Sequence, residues 1–363
     1  MFKPNFHISP QLAGILMEIE ASRQALAAID APAVVLAQLR AAALVDSTHY
    51  STRIEGNLLT RQQVQEVLQG GKVSSQRPRD LQEVRNYRRA LAHVEKLADQ
   101  DGSGVRETEL KTLHALVMNG RQRPAPYRDG QNVIRDSASN AIVYMPPQAN
   151  DVAVLMHDMV AWINRAIKEG KLPLPLVAGI AHYQYATIHP YYDGNGRTAR
   201  LLARLLLHRH GWRLQDLYCL EEYYVRNLAD YYRNLAVGES HNYYMGRAEA
   251  DISAWLEYFC RGMASSLASA RSRLVADCKA GDGLWQLRRR LDQRALQVLE
   301  LFAEHQHVTT RQIADLFAIG PRAALNQCNK WIKEGFLIRH GEATKTRRYT
   351  LARRWQKLLP GAR

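Results

Sequence analysis

The sequence predicts a mainly α-helical protein with one β-hairpin near its middle and a smaller module of helices and two strands at its end. Three observations predict it. Apolar residues recur at helical spacing over most of the chain. Between Tyr127 and Pro147, two β-rich pieces, Asn132-Val-Ile-Arg135 and Ala141-Ile-Val-Tyr144, lie among Gly, Asn and Ser turns and read as a hairpin. Beyond Gly283, three helical patterns are followed by two strand patterns.

The elements follow in order. Leu12 to Ile29 and Val34 to Val45 are helical in period, separated by Pro32. Val64 to Leu68 stops at Gly70-Gly71. Leu81 to Leu97 follows a break at Pro78, and Glu107 to Val117 ends at Asn119-Gly120. After the hairpin, helices are expected at Val152 to Ile167, Leu176 to Ile188, Arg197 to His210, Tyr223 to Leu235 and Ala250 to Leu267. Cys278-Lys-Ala-Gly-Asp-Gly283 reads as a linker. Arg294 to Glu304 begins the last module. Thr309 or Thr310 can N-cap a second helix, Gln312 to Phe317. Pro321 suits the first position of a third, which runs to about Glu334. Phe336-Leu-Ile-Arg339 and Arg347-Arg-Tyr-Thr-Leu351 read as two strands.

Composition narrows the function classes. The chain has 363 residues, of which 46% are hydrophobic, enough for a sizeable core. No apolar run approaches the ~20 residues of a membrane span, and Met1 to Pro10 has no secretory pattern. Cys219, Cys260, Cys278 and Cys328 lie far apart and form no metal or disulfide pattern, so a reducing, cytoplasmic setting is expected. Net charge is +14, and from Gly281 to Arg363 16 Lys or Arg face 7 Asp or Glu, a balance of +9. Such a module suggests an anionic partner.

The chemistry concentrates in His189-Pro-Tyr-Tyr-Asp-Gly-Asn-Gly-Arg-Thr-Ala-Arg200. Pro190 ends the preceding helix at His189. Gly194-Asn195-Gly196 permits a tight turn, and a helix with Leu201, Leu202, Leu205 and Leu206 opens behind it. Free N–H groups and the positive dipole end make an anion nest there. Arg197 and Arg200 share a helix face beside it and suit a polyphosphate. Asp193 supplies one carboxylate, as Mg²⁺ in nucleotide sites requires. His189 is placed to act as a base.

This stretch resembles the Fic motif, His-x-Phe-x-Asp/Glu-Gly-Asn-Gly-Arg-x-x-Arg, with Tyr191 where phenylalanine is usual. The tyrosine substitutes if its hydroxyl finds a partner. Weaker likenesses keep the family's order: Glu83-Val-Arg-Asn-Tyr-Arg-Arg-Ala-Leu91, Tyr127-Arg128, Tyr144-Met-Pro-Pro147, Tyr231-Tyr232 and Trp255 to Phe259. The resemblance implies a Fic-type helical core with a hairpin flap, and a protein adenylyltransferase. In that reading His189 deprotonates a target Ser, Thr or Tyr hydroxyl, which attacks the α-phosphate of ATP. Asp193 holds Mg²⁺. The Gly194-Asn195-Gly196 backbone and Arg197 hold the β-phosphate, and Arg200 holds the γ-phosphate. Ile134, Ile142, Val143, Tyr144 and Met145 are the flap residues that would pair with the target segment. Tyr231 and Tyr232 are candidates for an adenine pocket or for core packing.

Ser51-Thr-Arg-Ile-Glu55-Gly56 resembles the family's inhibitory motif, Ser/Thr-x-x-x-Glu-Gly/Asn. The implied role of Glu55 is to pair with Arg200 and keep it from the γ-phosphate. The expected organisation is therefore an N-terminal helical region with this motif at 1–100, a catalytic core at 101–277, and a terminal module at 284–363. Three helices and a ribbon there resemble a winged helix-turn-helix. Arg322, Asn326, Gln327, Lys330 and Lys333 would be its exposed recognition groups, with Lys345, Arg347 and Arg348 on the wing. Asn, Gln and Arg can read base edges and Lys contacts phosphate, so DNA is the favoured partner over protein contacts. Two other functions compete: removal of AMP from a modified protein by the same site, and a DNA-binding regulator whose core senses nucleotide. The sequence leaves the oligomeric state open, a homodimer included.

Overall fold

The computed structural model describes residues 1–359 apart from 72, 74–76, 101–103, 136–138, 239, 290 and 342–346. Its contacts divide the chain into two compact units, Met1–Leu274 and Val275–Arg363. The N-terminal region and the core expected as separate stretches thus fold as one unit.

In the first unit the helices are α1 (Pro10–Ala27), α2 (Ala33–Ile54), α3 (Arg61–Leu68), α4 (Pro78–Ala98) and α5 (Glu107–Asn119). A hairpin follows, β1 (Ile134–Arg135) and β2 (Ile142–Tyr144), then α6 (Ala149–Glu169), α7 (Leu174–Ile188) and α8 (Asn195–Arg209). Next come α9 (Leu220–Arg226), α10 (Leu228–Leu235) and α11 (Ser253–Arg289). Local chemistry sets many boundaries. The Ser9 hydroxyl accepts from the Leu12 N–H at 3.0 Å to start α1. A capping box between Thr60 and Gln63 starts α3. Pro78 does not break α4 but opens it, where its missing N–H costs nothing.

The core gathers around α7 and α8. Apolar faces of α4 and α5 meet α8 through buried Tyr87, Leu91, Val94, Leu113, Leu116, Leu201 and Leu205. Each such leucine contributes roughly 1.5–3 kcal/mol by leaving water. Helix α7 is buried on nearly every side, which explains its almost wholly apolar sequence. It delivers His189, and α8 delivers Arg197 and Arg200.

Two expectations need correction. The single helix expected over Tyr223 to Leu235 is two, because Asn227 leaves helical geometry and caps α10 with its own side chain. The linker expected at Cys278 to Gly283 lies inside α11. Its two glycines cost about 1 kcal/mol each against alanine, but extending an established helix adds a hydrogen bond per residue, and propagation outweighs them.

The second unit contains α12 (Gln293–Glu304), β3 (Val308–Thr309), α13 (Thr310–Phe317), α14 (Pro321–Lys333), β4 (Leu337–His340), β5 (Arg348–Leu351) and α15 (Arg353–Gln356). Thr309 is the N-cap of α13, in a capping box with Gln312. Strand β3 was not expected. It pairs with β5, giving an antiparallel sheet in the order β3-β5-β4. Buried Val298, Phe302, Ile313, Trp331, Phe336 and Tyr349 form this unit's own core. Arg322, Asn326, Lys330 and Lys333 are exposed on α14, with Gln327 partly so. Lys345 lies outside the described residues.

Candidate functional site: a helix N-terminus facing a histidine

Helix α7 ends at Ile188, and His189 follows in the left-handed region at φ 51° and ψ 60°. This conformation is uncommon without glycine, and it turns the chain into the loop His189–Gly194. Pro190, which disfavours a right-handed helical residue before it, accounts for the stop. His189 Nδ1 lies 3.2 Å from the Ala186 carbonyl. A carbonyl only accepts, so Nδ1 carries the proton and Nε2 keeps its lone pair. Loss of water around the ring lowers its pKa to about 4, so the imidazole is neutral at pH 7. It is in the state a base requires.

The loop is closed by Asn195. Its side chain donates to the Tyr191 carbonyl at 2.7 Å and accepts from the Tyr191 N–H at 3.0 Å. Asn195 therefore shapes the turn with its side chain, leaving only its backbone for a ligand. The Tyr191 hydroxyl reaches the Ala125 carbonyl at 3.4 Å, and its ring stacks on His114 with centroids 3.4 Å apart. His114 Nε2 meets the Asp193 carbonyl at 2.9 Å. By the same logic Nε2 is the donor, and burial holds this imidazole neutral with a pKa lowered to about 4.

Gly194 takes φ 79°, and a β-carbon there would stand 2.6 Å from Met118 Sδ, so only glycine fits. The first bond of α8 runs from the Thr198 N–H to the Gly194 carbonyl at 3.0 Å. The N–H groups of Asn195, Gly196 and Arg197 thus have no partner within the helix. They form the anion nest.

The two arginines of α8 do different things. Arg197, 2% exposed, donates to Asp193 Oδ1 at 3.0 Å and lies 3.5 Å from Glu83. Arg200 is also buried, and its Nε donates to the Ser51 hydroxyl at 2.9 Å. Its Nη2 donates to the Ser51 carbonyl and to Glu55 Oε1, both at 2.9 Å. Burial alone would lower its pKa, but the Glu55 carboxylate raises it further, so it stays charged. Ser51 lies in the last turn of α2, and Glu55 is the residue that ends it.

The structure separates the two tyrosines. Tyr231 is 2% exposed; its hydroxyl meets His182 at 3.1 Å and its ring lies 4.7 Å from that of Tyr224. It packs in the core, the alternative to an adenine pocket that the sequence left open. Tyr232 is 48% exposed, and its hydroxyl donates to the Ile54 carbonyl at 3.2 Å, next to Glu55. The flap is likewise divided. Ile142 and Val143 are exposed and Ile134 partly so. Tyr144 is buried and donates to the Thr187 carbonyl at 2.7 Å. The Met145 backbone is taken by His241 and Tyr243. These two anchor the hairpin beside the exposed Ile142 and Val143.

Four contributors lay beyond the motif. Arg128 donates from Nε to the His189 carbonyl at 3.0 Å, from Nη1 to that of Gly130 at 2.9 Å, and from Nη2 to that of Pro147. Its N–H donates to the Pro190 carbonyl at 3.0 Å. Arg79 and Glu83 from α4 and His114 from α5 surround Asp193 and Arg197. Among the described residues no group of three or more His, Cys, Asp or Glu could hold a metal by itself. Asp193 is one carboxylate with a 44% exposed side chain, and with phosphate oxygens and water it would make the donor set Mg²⁺ prefers.

The loop His189–Gly194 thus joins a neutral histidine at the end of α7 to the free N–H groups that open α8, an arrangement suited to an anion. Residues 104–207 match the family model described as Fic/DOC family, and this stretch is a Fic/DOC family domain. The chain is 29% identical over 200 residues to a protein adenylyltransferase Fic of Drosophila willistoni, covering 54% of this chain and 38% of that protein. It is 26% identical over 196 residues to that of Aedes aegypti, covering 53% and 38%. The chain thus spans about two fifths of the length of these curated relatives. A Fic family protein from Desulfovibrio desulfuricans G20 shares the fold over all of both chains, with a TM-score of 0.73 and 24% identity. Fic-1 (residues 134–508) from C. elegans shares it over 74% of this chain and 73% of that one, at a TM-score of 0.58 and 22% identity. No described helix is long and apolar enough to cross a membrane.

Proposed function

We propose that this chain is a protein adenylyltransferase that moves AMP from ATP to a Ser, Thr or Tyr hydroxyl of a target protein, itself included, and that Glu55 holds it inactive. One observation carries the reading: Arg200 lies beside Gly196 at the opening of α8, yet its fork is held by Ser51 and Glu55. His189 Nε2 takes the proton of the target hydroxyl. The hydroxyl oxygen bonds to the α-phosphorus, the bond to the bridging oxygen breaks, and pyrophosphate leaves. The Asn195, Gly196 and Arg197 N–H groups hold the β-phosphate. Arg200, once released, holds the γ-phosphate. Asp193, steadied by Arg197, would hold Mg²⁺, which supplies charge neutralisation of the phosphates. The outward strand edge at Ile134, Ile142 and Val143 receives the target segment as an added strand.

Labelled ATP tests this. The wild-type chain should bind ATP and transfer AMP slowly, and Glu55→Gly should be faster. Relief of a coupling of ~1–3 kcal/mol corresponds to roughly 5–150-fold. Adding Arg200→Ala should remove the gain. Equal rates in wild type and Glu55→Gly on a confirmed target would sink the inhibitory role. Loss of AMP removal from a modified target in Glu55→Gly would instead assign the site to hydrolysis.

The second unit is read as a winged helix-turn-helix that binds DNA through α14. Its support is the exposed row Arg322, Asn326, Lys330 and Lys333 in a module of +9 balance. The full chain should bind duplex DNA with strong salt dependence, and binding absent at low salt would favour protein contacts.

A further inference from the structure

The two oxygens of Asp193 are in different situations. Oδ1 accepts from the Gly194 N–H at 2.5 Å and from Arg197 at 3.0 Å. Both donors are fixed, one as backbone at a glycine packed on Met118, the other as a guanidinium 2% exposed. Oδ2 meets Arg79 at 3.2 Å. Arg79 comes from the first turn of α4, and its side chain is 70% exposed. Its Nε also donates to Glu83 Oε1 at 3.1 Å.

A divalent ion that uses Asp193 must therefore approach Oδ2, where an exposed guanidinium already sits. An exposed ion pair of this kind is weak, so the ion can displace it. The bond to Glu83 keeps the released fork at the rim of the same site, since Glu83 also lies 3.5 Å from Arg197. A guanidinium held there suits a phosphate oxygen.

We infer that Arg79 stands in for the metal ion: it neutralises Asp193 when no divalent ion is bound, competes with the ion for Oδ2, and turns to a nucleotide phosphate oxygen when the ion arrives. The inference rests on reading Asp193 as the metal-holding residue. It makes Arg79 a positioning residue that lets ATP approach Asp193 before the metal does.

Two measurements on the full chain test it without reading activity. Mn²⁺ binding is followed by electron paramagnetic resonance, and ATP binding in EDTA by calorimetry. Arg79→Gln should tighten Mn²⁺ binding and weaken metal-free ATP binding, each by about two- to fivefold, the scale of one exposed charge pair. Arg79→Lys should restore part of both. Asp193→Asn should lose Mn²⁺ binding. If Asp193→Asn loses Mn²⁺ while Arg79→Gln keeps both wild-type affinities, the role of Arg79 is overturned and the metal reading stands. Tighter Mn²⁺ with unchanged metal-free ATP binding would overturn the claim that Arg79 lets ATP approach Asp193 before the metal. Mn²⁺ binding untouched by Asp193→Asn would overturn both readings.

Discussion

The Glu55 carboxylate lies over Gly196: a β-carbon at residue 196 would stand 2.5 Å from Glu55 Oε1, the same oxygen that accepts from Arg200. Glu55 thus takes the arginine and covers the open end of α8 together. Within a helix, alanine is ordinarily better than glycine by about 1 kcal/mol. Here Gly196→Ala must push the carboxylate away and obstruct close phosphate approach. The melting temperature should stay level or fall, and calorimetry should show weaker ATP binding in both the wild-type and Glu55→Gly backgrounds. A stabilised variant with unchanged ATP affinity would rule out this helix end as the phosphate site.

His189→Ala removes the base and leaves the nest intact. Label transfer should vanish while ATP binding stays within about twofold, a change of under ~0.5 kcal/mol. The wild-type imidazole, with its pKa lowered to about 4, is already deprotonated at pH 6. In Glu55→Gly the transfer rate should therefore hold nearly level between pH 8 and pH 6, where an ordinary histidine base would have begun to fail. A rate that halves near pH 6.5 would contradict the environment assigned to His189.

The buried histidines also set an acid limit on stability. Burial lowers His182 to about 3 and His114 to about 4, against 6.5 for the free side chain. Between these values the unfolded chain binds more protons than the folded one, so stability rises with pH there. The contribution is whole above pH 6.5 and is lost as pH falls toward 4. Melting temperature should drop steadily from pH 7 to pH 5. NMR should show no titration of His182 above pH 5, and a midpoint near 6.5 would refute its burial.

How much of this was legible depended on where the determinants lie along the chain. The run His189 to Arg200 is local: its proline, glycines and helix opening fix the nest within a dozen residues, so the sequence displays it. Ser51 and Glu55 are legible for the same reason, as residues one turn apart at a helix end. Arg79, Glu83, His114 and Arg128 are brought in from other elements by packing; Glu83 and Arg128 lie in segments with a weak family likeness that gave them no role, and Arg79 and His114 carry no local sign at all. Tyr231 and Tyr232 are adjacent aromatics about 100° apart on a helix, so one faces the core and one the end of α2. Nothing in the pair says which. Tyr144 and Met145 continue the β pattern of Ile142 and Val143, and only their tertiary partners distinguish anchor from edge. The glycines near Cys278 argued for a linker because local propensity omits the cooperativity of a long helix.

Every bond that Arg128 makes across the loop ends on main-chain oxygen: those of His189, Gly130 and Pro147, with its own N–H on Pro190. The clamp between flap and base is therefore blind to side-chain identity. Ile142 and Val143, exposed on the flap, share none of these bonds. On the function proposed above, substitutions at Ile142 and Val143 would alter the fit to a target strand without loosening the clamp on His189, so target choice and chemistry would be separable.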